Sequence, residues 1–168
     1  MSERIEFAFR TVLIGVGATM LMDVWSLVLR QLGIPSLNFA FLGRWIGHLR
    51  EGQWVQEHIA SAPRVRGESL IGWLAHYAIG ITFAALLVST FGAKWARSPS
   101  VLPALFIGLA TVVAPLLILQ PALGAGIASS KTATPVFNSI KSLATHTVFG
   151  FGLYLAALAT ASLVPAGK

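Results

Sequence analysis

The chain has 168 residues, of which 55% are hydrophobic and only 11% are charged, and its formal net charge is +6. A soluble domain of this size carries about 25% charged residues, so the composition excludes an ordinary soluble domain. The Lys and Arg residues lie at the ends of apolar runs, as in membrane proteins, and form no basic stripe for binding nucleic acid. The length allows a single integral-membrane domain, residues 1–168.

The sequence contains no cysteine, which excludes disulfides, thiolate metal sites, iron–sulfur clusters and thiol redox chemistry. A metal ion or a haem group would therefore need ligands from His, Met, Tyr or a carboxylate. No Gly-rich phosphate loop, nucleophile elbow or Ser-His-Asp set is present, so the motifs do not favour an enzyme.

Four apolar segments have the roughly 20 residues that are needed to cross the hydrocarbon layer. They cover residues 8–32, 69–91, 101–124 and 143–164. The first segment has no small-residue cleavage site after a short apolar core, so we expect a retained span and not a signal peptide. The predicted fold is an all-α polytopic membrane protein with a bundle of four transmembrane helices.

The long connection between the first and second spans predicts a further helix at about residues 37–50. The apolar residues of this segment share one helical face, whereas Asn38, Arg44 and His48 lie on the opposite face. Such a pattern is typical of an amphipathic helix in the headgroup layer, with Trp45 at the interface. We expect this helix to anchor the chain.

Polar side chains inside the spans are the main functional signal, because they are costly in lipid and turn toward the interior of a bundle. Asp23 and Gln120 lie near the ends of the first and third spans, and His76 and His146 lie near the starts of the second and fourth. Since alternate spans run in opposite directions, we expect all four in the membrane half that faces the long connection.

The two histidines occur in the same arrangement, His-x-x-x-Gly, which places His76 with Gly80 and His146 with Gly150 on one helix face each. Small residues beside a polar one allow helices to approach closely, so these faces are predicted to point inward. The first and third spans also share an Ala-Thr pair, at 18–19 and 110–111, which would fit a duplicated two-helix unit. The predicted ligand-binding set is Thr19, Asp23, His76, Tyr77, Gln120 and His146.

Three functions are compatible with this set. In the first, the protein binds or transports a small polar, ionic or protonatable solute, with Asp23 as charge partner and the histidines as ligands or proton carriers. In the second, His76 and His146 hold a b-type haem or a metal ion. In the third, the polar cluster only locks the helices of a non-transporting assembly or scaffold protein.

The expected partners are the lipid bilayer and, in the first function, a small solute. Four helices leave little room for a wide pore, so self-association as a homo-oligomer is also expected. The sequence does not favour a nucleic-acid partner, because its basic residues flank the spans.

The segments MDVW, GRW-GH, RGE, AHYAIG, QPALG and HTVFG-GLYL resemble an uncharacterised bacterial integral-membrane family, the domain of unknown function DUF2938. The resemblance extends over nearly the whole chain. It implies four helices and a multi-pass location in the bacterial inner membrane. It assigns no activity, cofactor or functional residue.

Overall fold

The computed structural model describes residues 3–164, and these residues form helices and connecting loops without any strand. The α-helices are α1 (Glu3–Gln31), α2 (Phe39–Leu49), α3 (Glu68–Arg97), α4 (Val101–Ala110), α5 (Gln120–Ala122) and α6 (Pro135–Leu163). A π-helical segment, Ala114–Leu119, precedes α5, and a short 3-10 turn, Ile127–Ser129, follows it.

Within the described residues, four helical segments are long and apolar enough to cross a membrane. They are Arg4–Gln31, Glu68–Arg97, Val101–Ala122 and Pro135–Leu163, and the third combines α4, the π-helical segment and α5. Large apolar side chains such as Met20, Leu74, Phe106 and Ile118 are more than half exposed. A soluble surface rarely carries so many of them, whereas a lipid-facing surface does. The predicted all-α fold with four candidate spans is confirmed.

Helix α6 starts at Pro135, well before the apolar run from which the fourth span is predicted. Proline is well suited to the first position of a helix, where its missing N–H has no partner to lose. The polar first turns bond to the preceding loop: Asn138 donates to the Thr132 hydroxyl at 3.0 Å, and Ser139 donates to the Ala128 carbonyl at 3.1 Å. Hydropathy alone underestimates this helix because its first turns are polar.

The third span is interrupted around Pro115. Proline lacks an N–H and its ring clashes with the preceding turn, which prevents a continuous α-helix. The chain instead forms π-helical turns, in which the Gln120 N–H donates to the Pro115 carbonyl five residues earlier. The wider turn rotates the residues after it, so Gln120 has a different direction from that in a straight α-helix.

The chain divides into two compact units by its internal contacts. The first unit comprises the residues up to 28, residues 77–111 and those from 145 onward, and the second comprises residues 29–76 and 112–144. The hydrophobic core lies in the first unit. Its buried members are Ile14, Ala18, Ala84, Leu87, Val88, Trp95, Ala96, Ala104, Ile107, Phe149, Leu153 and Ala157.

In the second unit, α2 packs directly against the first turns of α3. A Cβ added to Gly43 would overlap the Glu68 carbonyl, and a Cβ added to Gly72 would overlap the Phe39 carbonyl. The two helices therefore approach through backbone atoms at this crossing. The later part of the connection bonds to the end of the third span, where the Gln56 N–H donates to the Ala122 carbonyl at 2.9 Å.

Two residues on the polar face of α2, Arg44 and His48, are buried. The side chain of Arg44 donates from Nε and Nη2 to both carboxylate oxygens of Glu68, each at 2.8 Å. Its Nη1 lies 2.9 Å from the Ile59 carbonyl and 3.2 Å from those of Ala60 and Ala62. The guanidinium of Arg44 thus holds the connection against the start of α3. The hydrogen bond that it donates to Glu68 raises the pKa of Arg44.

The neighbouring His48 is buried on the same side of α2. Its Nε2 lies 2.9 Å from the Pro63 carbonyl and its Nδ1 lies 3.2 Å from the Glu51 carboxylate. Both partners are acceptors, so the imidazolium form, which has two N–H donors, satisfies them best. The hydrogen bond to Pro63, followed by that to Glu51, raises the pKa of His48 above its ordinary value of 6.5.

Candidate functional site

In the first unit, α1 and α3 are joined by a hydrogen bond between two side chains within the spans. The Tyr77 hydroxyl donates to Oδ2 of Asp23 at 2.9 Å. One turn away, a Cβ added to Gly80 would overlap the hydroxyl of buried Thr19, which itself donates to the Gly15 carbonyl at 2.7 Å. The close approach at Gly80 brings α3 near enough to α1 for Tyr77 to reach the carboxylate.

His146 lies on α6, is only 7% exposed, and makes its described hydrogen bonds through Nδ1. This atom lies 3.1 Å from the Thr111 hydroxyl and 3.3 Å from the Gly108 carbonyl. The Thr111 hydroxyl donates its single hydrogen to the Gly108 carbonyl at 2.8 Å, so its oxygen is left to accept from His146. The neutral imidazole consequently carries its hydrogen on Nδ1 and its lone pair on Nε2.

Close packing of α4 against α6 places His146 beside Thr111. A Cβ added to Gly108 would lie 2.5 Å from the Cα of Gly150 and 2.8 Å from the His146 carbonyl. Only glycine fits at this crossing without moving one helix. The Gly150 of the second His-x-x-x-Gly motif therefore acts through packing, and the histidine one turn away acts through hydrogen bonding.

A third contact connects these two pairs. Nε1 of Trp25 donates to the Thr145 hydroxyl at 3.3 Å, which joins α1 to α6. Trp25 is two residues from Asp23, a rise of about 3 Å along a helix, and Thr145 is the neighbour of His146. The contacts α3–α1, α1–α6 and α6–α4 hence lie at similar depth. We call this set the polar layer: Asp23, Trp25, Tyr77, Thr111, Thr145 and His146.

The predicted site residues divide between the two units. Asp23, Tyr77 and His146 belong to the polar layer, and Thr19 bonds within its own helix one turn from it. His76 belongs to the second unit, where its ring stacks on Phe39 at a centroid distance of 4.1 Å. The prediction that His76 and Gln120 share a ligand with Asp23 and His146 stays a prediction.

The side-chain amide of Gln120, also in the second unit, has a hydrogen-bond partner for its nitrogen but none for its oxygen among the described residues. Its Nε2 donates to the Ser142 hydroxyl at 3.2 Å. Its Oε1 is buried and has no hydrogen-bond partner among the described residues. A buried acceptor without a donor costs about 1–3 kcal/mol, so this oxygen would gain from a water molecule or a solute that donates to it.

Three members of the polar layer are not identified from the sequence. Thr111 carries a signal, since it belongs to the Ala-Thr pair that the first and third spans share. Trp25 and Thr145 carry none, because Trp near the end of a span is typical of an interfacial anchor and Thr is common in membrane helices.

The described residues add no further metal ligands to the predicted pair of histidines. Among residues 3–164, no group of three or more His, Asp or Glu side chains is placed to hold a metal ion. His76 and His146, the pair predicted for haem or metal ligation, fall in different units.

A comparison with protein families matches residues 12–160 to the family described as a protein of unknown function, DUF2938. The chain belongs to the DUF2938 family. The matched range contains the complete polar layer of this DUF2938 chain, as well as Arg44 and Glu68, whereas Glu6 and Arg10 precede it. The comparisons with curated proteins and with solved structures yield no match.

Proposed function

We propose that this DUF2938 chain is an integral-membrane protein that binds a small cationic or hydrogen-bond-donating solute at the polar layer and carries it across the membrane. The observation that supports this proposal most is the orientation of His146. Thr111 and Gly108 hold its Nδ1–H, which leaves Nε2 as an acceptor at the depth of the Asp23 carboxylate. Ionisable groups within spans commonly belong to solute or proton pathways.

The chemistry of the layer determines the class of solute. A carboxylate is purely an acceptor, and the imidazole Nε2 is an acceptor in the orientation described. Two acceptors on neighbouring helices favour a cation, an amine or a hydroxyl compound over an anion.

Gln120 of the second unit is proposed to bind a donor group as well, because its unsatisfied Oε1 would accept a hydrogen bond. His76 stays a predicted ligand on the basis of its position in the sequence. The π-helical segment before Gln120 supports transport, because interrupted helices in transporters present backbone groups to their solutes. We place the chain in the bacterial inner membrane, as the family resemblance implies.

Thermal unfolding of the purified chain in detergent tests the binding step. Ammonium, methylammonium, sodium and potassium chlorides serve as probes at equal ionic strength. A bound probe at 100 times its Kd stabilises the folded chain by about 2.7 kcal/mol, and its melting temperature rises accordingly. We expect the rise with at least one probe, and we expect Asp23→Asn to remove it.

Two tyrosine variants provide a matched pair. Tyr77→Phe removes the hydroxyl that orients Asp23 and should weaken the probe-induced rise. Tyr154→Phe changes a partly buried tyrosine that packs against the hydrophobic core and should leave the rise unchanged. If no probe stabilises the wild type, and Asp23→Asn changes only the stability without probe, the layer locks helices as in a scaffold protein.

A haem or metal ion is the second candidate, favoured by one observation. Metal-ligating histidines usually donate their other ring N–H to a carbonyl or similar acceptor, as Nδ1 of His146 does. An absorption spectrum and a metal analysis of gently purified protein test it. A Soret band that is lost in both His76→Ala and His146→Ala would support haem, and a colourless, metal-free sample would exclude this candidate.

A further inference from the structure

A second polar cluster, unrelated to the polar layer, lies in the first unit where α1 begins and α3 and α6 end. The Glu6 carboxylate accepts from Nε of Arg10 at 2.9 Å and from Nε and Nη2 of Arg97 at 3.0 Å each. Nη2 of Arg10 donates to the Val164 carbonyl at the end of α6. One carboxylate is thus shared by two guanidinium groups.

Arg10 is 2% exposed, yet its Nη1 has no hydrogen-bond partner among the described residues. Arginine is always charged, and a buried unpaired donor on a charged group is costly. Since Glu6 and Val164 take only Nε and Nη2, the guanidinium retains both an unsatisfied N–H group and uncompensated positive charge.

A cavity of about 280 Å³ adjoins this cluster. Its charged lining consists of Arg4, Glu6, Arg10 and Arg97, which gives three positive groups and one negative group. Phe7, Val88 and two alanines form its apolar side. The volume is slightly below the roughly 300–1,000 Å³ of pockets for drug-sized ligands, so it suits a small group.

The backbone of α3 breaks at Gly92, five residues before Arg97. This glycine has φ +80° within α3, a conformation that residues with a side chain rarely adopt, and no atom lies near the position of its missing Cβ. The final turn of α3 after the break contributes Ala93, Ala96 and Arg97 to the cavity lining.

The depth of the cavity corresponds to the membrane surface. Helix α1 has 29 residues and is about 44 Å long, whereas the hydrocarbon core of a bilayer is about 30 Å thick. The ends of α1 therefore reach the headgroup layers, where lipid phosphates are located. Arginine pairs with phosphate through parallel N–H bonds, and an apolar wall beside it suits the glycerol and acyl parts of a lipid.

We propose that this cavity binds a phosphate group, from a lipid headgroup or from free phosphate, through Arg10, Arg97 and Arg4. The site goes beyond the proposed solute site and uses none of its residues. A phosphate oxygen would satisfy Nη1 of Arg10 and compensate the excess positive charge of the cluster.

Native mass spectrometry of the full chain in detergent tests the lipid source. The chain is titrated with dioleoyl phosphatidic acid and, separately, with dioleoylglycerol, which has the same acyl chains and no phosphate. We expect phosphatidic acid to bind at least about tenfold more tightly, since charge-assisted hydrogen bonds to phosphate are lost with dioleoylglycerol. Thermal unfolding with inorganic phosphate tests the free source.

The variants locate the binding. Arg97→Gln, at an exposed residue, should weaken phosphatidic acid binding about tenfold. Lys94→Gln removes the same charge from the same turn but outside the cavity lining, and should change the affinity less than about twofold. Arg10→Lys keeps the charge and removes the planar fork of donors, and should also weaken binding. If Arg10→Lys fails to fold, Arg97→Gln decides the test.

Each result supports or overturns the site. Binding of phosphatidic acid alone, lost in Arg97→Gln, supports a lipid headgroup, and stabilisation by inorganic phosphate that is lost in the same variant supports free phosphate. The proposal is overturned if phosphatidic acid binds no better than dioleoylglycerol while phosphate has no effect. It is equally overturned if Arg97→Gln binds both probes as the wild type does.

Discussion

The hydroxyl of Thr111 and Nδ1 of His146 lie 3.1 Å apart across the crossing of α4 and α6. Because the hydroxyl hydrogen goes to the Gly108 carbonyl, the threonine oxygen fixes which imidazole nitrogen carries the proton. The orientation of His146 as an acceptor through Nε2 thus depends on a residue 35 positions earlier in the chain.

Thr111→Val should reduce the stability of the chain by about 1 kcal/mol, the scale of interhelical hydrogen bonds in membranes. It should also allow the second imidazole tautomer, because Nδ1 loses its nearest partner. Denaturation in SDS measures the first effect and ¹⁵N NMR of His146 measures the second. Thr111→Ser keeps the hydroxyl and should retain both the wild-type stability and the wild-type tautomer of His146.

A matched control for this variant is Thr90→Val. The Thr90 hydroxyl is exposed and donates to the Leu86 carbonyl of its own helix, so its loss should cost less than about 0.5 kcal/mol and leave His146 unchanged. Equal effects of Thr90→Val and Thr111→Val would contradict the role assigned to Thr111.

The packing at the crossing of α4 and α6 predicts that alanine substitutions at its two glycines reduce the stability of the chain by different amounts. Gly108→Ala should destabilise the chain by about 1–3 kcal/mol, because its Cβ would lie 2.5 Å from the Gly150 backbone. Gly150→Ala should cost less, since the nearest atoms are the Ala104 carbonyl and Leu105 at 3.1 Å. Unfolding of the two variants in SDS shows the order, and the reverse order would contradict the described packing.

The ion pair between buried Arg44 and Glu68 in the second unit predicts that the loss of the arginine charge strongly reduces the stability of the chain. Arg44→Met leaves Glu68 without its guanidinium and frees three carbonyls of the connection, so we expect a loss of about 3 kcal/mol. Arg50→Met, at the exposed end of the same helix, should cost less than about 0.5 kcal/mol. Protease cleavage between residues 50 and 66 should increase in the first variant only. Resistance equal to the wild type would exclude Arg44 as the residue that holds the connection.

The hydrogen bonds of His48 predict that the stability of the connection between α2 and α3 depends on pH. Its folded-state pKa is raised above about 6.5, so its contribution to stability is complete below that pH and is lost as the pH rises through the folded-state value. Hydrogen exchange of the connection should accordingly accelerate from pH 6 to higher pH, beyond the intrinsic rate change. His48→Asn should remove this dependence, whereas His58→Asn, at an exposed residue of the same segment, should retain it. An unchanged pH dependence in His48→Asn would refute the assignment.

Hydropathy and residue spacing identify the four spans, because a run of about 20 apolar residues has few alternatives to crossing a bilayer. The pairing of Asp23 with a group on α3 cannot be read from hydropathy, although the spacing of His76 and Gly80 indicates which face of α3 points inward. The partner turns out to include Tyr77, the neighbour of the predicted histidine, since Gly80 brings that part of the helix against Thr19.

The buried arginines are the part that sequence patterns do not predict. Arg44 lies on the polar face of an amphipathic helix, and Arg10 lies at a span end, so periodicity assigns both to the membrane surface. The partner of Arg44, Glu68, lies 24 residues later in the chain. The partner of Arg10, Glu6, is one turn away on the same helix, but it is shared with Arg97 of α3, and only tertiary contacts reveal this sharing. Burial follows from the pairing and not from the local pattern.

Uptake of radiolabelled methylammonium into proteoliposomes tests the proposed function most directly, with Glu57→Gln as a control that removes an exposed carboxylate outside the polar layer. We predict uptake by the wild type and by Glu57→Gln well above that of protein-free liposomes, and a decrease of at least about tenfold in Asp23→Asn, which loses the charge partner of the solute. Uptake by Asp23→Asn at the wild-type rate would contradict a solute site at the polar layer.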